Sequence, residues 1–83
     1  LELREVLIMT AVDEIKNKIQ RLFHTDPIIH IDVSMNRPKI RIANQEARIK
    51  GVYSNVFQIE AQGKCYTLQY TDILIKNITI AEI

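Results

Sequence analysis

The side chains able to do covalent or acid–base chemistry are few and scattered in this chain. There is a single cysteine, Cys65, whose neighbours in sequence are Lys64 and Tyr66. A thiol nucleophile needs a positioned base and a group to stabilise the developing charge, and neither is visible around it. The two histidines, His24 and His30, are six residues apart with Pro27 between them, a spacing that builds no metal site. No two carboxylates are placed as an acid and base pair, and no glycine-rich loop is available to cradle a phosphate. Nothing in these residues points to a catalytic, metal or other cofactor role, so the expectation is a protein that is not an enzyme, with a hydrolase or transferase the remote alternative.

The cations are distributed less evenly. Residues 37–50 hold Arg37, Lys39, Arg41, Arg48 and Lys50 against Glu46 alone, a local balance of +4. The rest of the chain carries six basic and nine acidic residues, a balance of −3, so the overall charge is only +1. Alternation along a strand sets Lys39 and Arg41 on one face, where neighbouring cations repel unless an anion joins them. With Tyr53 close by, these six residues are the candidate binding surface. Its ligand is the acidic surface of a protein or the phosphates of a nucleic acid; the bland reading is a solvated face or a cationic edge that discourages aggregation.

The elements that position these residues follow from periodicity. Val12, Ile15, Ile19, Leu22 and Phe23 recur at three- and four-residue steps, predicting a helix over residues 10–24. Thr10 is its expected N-cap, with Asp13 at the third helical position, and Pro27 closes the segment. Leu1–Ile8 precede Met9, the more natural start, and are treated as an N-terminal extension, native or appended. Beyond the proline the period changes to two. Ile29, Ile31, Val33 and Met35 make one apolar face, and Asn36-Arg37-Pro38 turns the chain. Ile40 and Ile42 face inward on the return strand. Ala43–Glu46 blurs the alternation, as a bend, a bulge or a short loop would. Gly51 inside the following extended run points to curvature or a bulge. Phe57 and Ile59 lie on the inner face of the next strand, and Gln62-Gly63 is a hairpin signal. Tyr66, Leu68 and Tyr70 share a side of the strand after it. Thr71–Leu74 reads as a helical turn with Asp72 as its cap, before a last strand at 77–82.

Eighty-three residues, 47% of them hydrophobic and 25% charged, make one domain with one modest core. No apolar run reaches a membrane span, so no membrane role is expected. The lone cysteine and the absence of a signal-peptide layout fit a cytoplasmic location. The fold class expected is mainly β. After one helix, five short antiparallel strands over residues 28–83 close into a small barrel, because flat strands of this length would leave costly edges.

The segments at 36–41, 53–57 and 70–74, in that order along the chain, resemble segments of the Veg family of small Gram-positive bacterial proteins. Asn36-Arg37-Pro38-Lys39-Ile40-Arg41 is similar to that family's Asn-Gly-Gly-Arg-Arg-Lys turn. Tyr53-Ser54-Asn55-Val56-Phe57 resembles its Tyr-Pro-x-Val-Phe segment, and Tyr70-Thr71-Asp72-Ile73-Leu74 its Tyr-x-Asp-Val/Ile-Leu segment. Asp13-Glu14-Ile15-Lys16 sits where the family has an Asp-Ile-Lys opening. The likeness runs in order from about Met9 to Ile83. It implies an SH3-like (Sm-like) barrel in a single domain over 9–83. It also implies a non-enzymatic part in biofilm formation, through control of gene expression and a protein partner such as a transcriptional regulator. This chain departs from the family where Arg37-Pro38 replaces Gly-Gly and Ile40 replaces the middle basic residue, leaving Lys39 and Arg41. A nucleic-acid-binding module using 37–50 is the alternative function, and pairing of strand edges makes a homodimer a reasonable expectation.

Overall fold

A computed structural model describes residues 3–37 and 39–83, with side chains from residue 11 onward. Helix α1 spans Leu3–Thr25 and is followed by five strands, β1 (Ile28–Asn36), β2 (Lys39–Val52), β3 (Val56–Ala61), β4 (Lys64–Gln69) and β5 (Ile78–Ile80). A short helix, α2 (Tyr70–Leu74), stands between β4 and β5. The strands form one open antiparallel sheet in the order β4-β3-β2-β1-β5. The expected plan of one helix followed by five antiparallel strands is therefore the observed one. No helix among the described residues is long and apolar enough to cross a membrane.

Several boundaries differ from the sequence reading: the last strand, expected at 77–82, is Ile78–Ile80, and Tyr70 opens α2 and does not end the strand before it. The first helix begins before Thr10, so Thr10 lies inside α1 and does not cap it. Asp72 lies within the first turn of α2, and the N-cap is Gln69, which makes no side-chain capping bond. Asp72 instead ties down the exit from that helix: its carbonyl accepts from the Asn77 N–H at 3.0 Å. Its carboxylate accepts from the Asn77 side chain at 3.4 Å. Pro38 of the expected turn lies outside the described residues, as do Leu1 and Glu2 of the N-terminal extension.

The end of α1 is fixed as its proline requires. The Asp26 N–H donates to the Leu22 carbonyl at 2.8 Å, and the Pro27 carbonyl accepts from Ile49 of β2, also at 2.8 Å. Of the helix's apolar stripe, Ile19 is fully buried, and Val12, Ile15, Leu22 and Phe23 pack partly buried around the same core. Ile29, Ile31, Val33, Ile42, Ile49, Phe57, Ile59, Leu68, Tyr70, Ile78 and Ile80 supply most of the rest. Each such side chain taken wholly from water stabilises the fold by roughly 1.5–3 kcal/mol.

β2 keeps its apolar residues on that core by two irregularities. Ile31 pairs with Gln45 and Val33 with Ile42, so Asp32 faces both Ala43 and Asn44. The extra residue is accommodated at Asn44, whose φ is 45°. That left-handed conformation suits asparagine and penalises a branched side chain. A second shift falls between Ile49 and Gly51, leaving Lys50 as the extra residue. The blurred stretch at 43–46 is thus a bulge within one long strand. At the β3–β4 turn, Gln62 and Gly63 have φ of 55° and 78°, the paired positive values of a type I′ hairpin.

Tyr70 ties the last core layer to the β2–β3 turn. Its ring stacks on Phe57 with centroids 5.4 Å apart, and its hydroxyl donates to the Tyr53 carbonyl at 2.7 Å. Burial raises the phenol's pKa above its ordinary 10.0. Because the unfolded chain ionises first, stability is held below that value and falls as the pH rises above it.

Two outcomes follow for equilibrium urea unfolding. Asn44→Val lowers stability by about 1–2 kcal/mol, whereas Asn44→Gly changes it by a few tenths, since glycine takes positive φ freely. Tyr70→Phe costs about 1–2 kcal/mol by leaving the Tyr53 carbonyl without its donor.

Candidate partner-binding surface

The first bulge also decides where the charges go. Ile40 and Ile42 lie toward the core before it, and Ala47 and Ile49 after it, so Lys39, Arg41, Glu46 and Arg48 all project from the opposite face and are exposed. Without the extra residue the two halves would point their cations to opposite sides of the sheet. Arg37 is exposed in the β1–β2 turn, and Lys50 is exposed at the second bulge. Every candidate cation is thus on the surface. They do not form one continuous stripe.

Arg41 is held in place. Its Nη1 donates to Asp32 Oδ1 at 3.1 Å, to the Val33 carbonyl at 3.1 Å and to the Ile42 carbonyl at 3.0 Å. These acceptors flank the bulge, so the guanidinium pins it, and Asp32 offsets the charge. Arg37 and Lys39 make no ion pair with any other described residue. Farther along β2, Glu46 stands opposite His30 of β1, and Arg48 stands opposite Glu60 of β3. Seven residues of strand, about 23 Å if straight, separate Arg41 from Arg48. The surface is two cation groups with acidic residues between and beside them.

His30 and Glu82 form the best-defined polar contact on this face, and the sequence did not point to it. The His30 main-chain N–H donates to Glu82 Oε1 at 2.7 Å, and His30 Nδ1 lies 2.8 Å from Glu82 Oε2. The side-chain hydrogen bond to Glu82 and the carboxylate's charge raise the histidine's pKa above 6.5, with a further contribution from Glu46. The same bond, and the main-chain N–H, hold the Glu82 carboxyl below 4.5. A histidine oriented by a carboxylate is two parts of a nucleophilic triad. However, β2 and β3 lie between the strand of His30 and that of Cys65, which is exposed on β4. Among the described residues no group of three or more His, Cys, Asp or Glu side chains is placed to hold a metal ion.

Tyr53 is the aromatic member of the surface and is 51% exposed. Its ring covers Gly51: a Cβ there would come 2.6 Å from the phenol oxygen and 2.9 Å from two ring carbons. The glycine in this strand therefore provides a seat for the ring. The hydroxyl is 3.5 Å from Gln58 Oε1, and the Gln58 amide is 3.4 Å from Thr67 Oγ1. Tyr66 is half-buried and Tyr70 fully buried, as core and rim residues.

No family model, curated protein or solved structure matches this chain.

The signs of the two shifts define a pH window. Protonated His30 stabilises the fold below pH 6.5, and that contribution is lost as pH rises through its raised folded value. Ionised Glu82 stabilises it above pH 4.5, and that contribution is lost as pH falls through its lowered value. The pair is therefore fully formed between about pH 4.5 and 6.5. In an NMR titration, Glu82→Gln brings the His30 midpoint down toward 6.5; an unmoved midpoint would remove Glu82 as the cause.

Proposed function

We propose that this chain is a non-enzymatic regulatory adaptor, resembling Veg, that binds an oppositely patterned protein surface through the outer face of β1 and β2. The observation that carries this reading is the broken charge pattern. Arg37 and Lys39 project at one end, Arg48 and Lys50 at the other, and Glu46, His30 and Glu82 occupy the ground between. A phosphate backbone presents one sign of charge throughout and favours an uninterrupted cationic track. A protein surface carries both signs, and specificity comes from matching them in register.

The finer fold reading belongs with this proposal. A five-stranded SH3-like barrel is supported by the two bulges that bend β2 and by β5 returning beside β1 after one helical turn. It is supported too by burial: inner residues of all five strands are covered, although α1 packs chiefly on β2 and α2. The resemblance to Veg implies a partner among regulators of gene expression, in a bacterial cytoplasm.

Nucleic-acid binding through 37–50 is the second reading, favoured by the exposed Arg37 and Lys39 and the open ring of Tyr53. Affinity capture with the tagged chain, run with and without nuclease, separates the two. The expected result is a protein complex that survives nuclease and is weakened about tenfold or more by Arg37→Ala with Lys39→Ala. Nuclease-sensitive capture would overturn it, as would binding to polynucleotide whose affinity falls by orders of magnitude between about 50 and 200 mM salt.

A further inference from the structure

The two edges of the sheet are finished differently. β5 is three residues long, and the chain after it folds back, with the Ile83 N–H donating to the Ile80 carbonyl at 3.3 Å. β4 has six residues, contains no proline or glycine, and pairs without irregularity with β3 alone. In a two-residue hairpin the residues flanking the turn form a hydrogen-bonded pair, here Ala61 with Lys64. Lys64, Tyr66 and Leu68 therefore direct their main-chain groups to β3. Cys65 and Thr67 direct theirs away from the sheet, and among the described residues no hydrogen bond outside the β3–β4 ladder takes up those groups. Both residues are exposed. Lys64, at the end of the strand, is its only charged residue.

We propose that β4 pairs antiparallel with β4 of a second copy of this chain, making one continuous sheet about a two-fold axis through Tyr66. Side chains opposite one another must lie on the same face, and the outward main-chain groups must meet one another. The register centred on Tyr66 satisfies both conditions. Cys65 exchanges main-chain hydrogen bonds with Thr67 of the second copy, and Thr67 with its Cys65. Tyr66 meets itself in the close, non-hydrogen-bonded position, where an aromatic pair adds contact. Lys64 falls opposite an apolar leucine, so the two ammonium groups stay apart. An edge whose one charge lies at its end and which accepts its own sequence in this way is self-complementary, as a two-fold interface requires.

The closing experiment measures mass and proximity separately. In sedimentation equilibrium the chain runs at twice its 9.7 kDa. Tyr66→Lys, which sets two ammonium groups on the axis, weakens association at least tenfold while the far-UV circular dichroism is unchanged. Should that variant not fold, cysteine trapping decides. With Cys65→Ser in the background, Tyr66→Cys forms an intermolecular disulfide under mild oxidation, because opposed residues at that position lie about 4.5 Å apart at Cα. Thr79→Cys on β5 does not. Native Cys65 does not crosslink either, being offset from its symmetry mate by two residues along the strand, about 8 Å away. A single-chain mass up to 100 μM overturns the proposal, and so does trapping at Tyr66→Cys no greater than at Thr79→Cys.

Discussion

β2 has to be two strands at once. Its first ten residues pair with β1 and its last five with β3, sharing Arg48, and throughout it must keep apolar residues toward a single core. A strictly alternating strand of fourteen residues cannot do this here. Ile42 and Ala47 are five residues apart, an odd spacing that would place them on opposite faces. The extra residue at Asn44 restores the phase. Without it, either Ala47 and Ile49 would leave the core or Glu46 and Arg48 would enter it. An unpaired charge driven into a core costs several kcal/mol, more than the roughly 1–2 kcal/mol of a left-handed backbone residue, so the bulge is the cheaper solution. The Arg41 guanidinium, bonded to carbonyls on both strands beside the bulge, holds the arrangement.

Much of this was legible in the residues themselves, because local chemistry settled it. The apolar stripe of α1, the alternation of β1, the Gln62-Gly63 turn and the inner rows of β3 and β4 each follow from patterns within a few positions. Proline fixed the helix exit for the same reason. α1 starts before the expected Thr10 because Leu3, Val6 and Leu7 carry the same helical spacing through Met9. Asp72 is not the cap because the short helix opens at Tyr70, with Gln69 as N-cap, three residues before the position a cap at Asp72 implies. At 43–46 the loss of alternation was visible, but a loop and a bulge give the same local pattern. Only the pairing with β1 tells them apart.

The surface was legible in composition and not in arrangement. Alternation placed Lys39 and Arg41 outward together, and they are. What alternation could not supply was the acids brought in from elsewhere in the chain. Asp32 reaches Arg41 across the first hairpin. Glu82 reaches His30 across 52 residues, once β5 has returned beside β1. A local count gives a cationic segment; the folded face is a mosaic. Gly51 carries the same lesson. In sequence it marks curvature, and in the structure it also seats Tyr53, whose ring leaves no room for a Cβ there.

The contact between His30 and Glu82 also explains why the sheet's two edges differ. β5 is too short to stay in place by its own ladder, which registers only three pairs with β1. The hydrogen bonds at either end extend that hold: Ser34 donates to the Asn77 carbonyl, and Ala81 donates to the His30 carbonyl. Glu82 then takes both the main-chain and ring nitrogens of His30, anchoring the chain two residues beyond the end of β5. β4 needs no such device, because a tight hairpin joins it to β3 and six residues pair in register. The edge that is locally secure keeps its outward groups available, while the edge that is locally weak is fastened by a carboxylate. This asymmetry follows from chain connectivity. A hairpin strand is positioned by its turn, and a strand that returns from across the fold has to be tied.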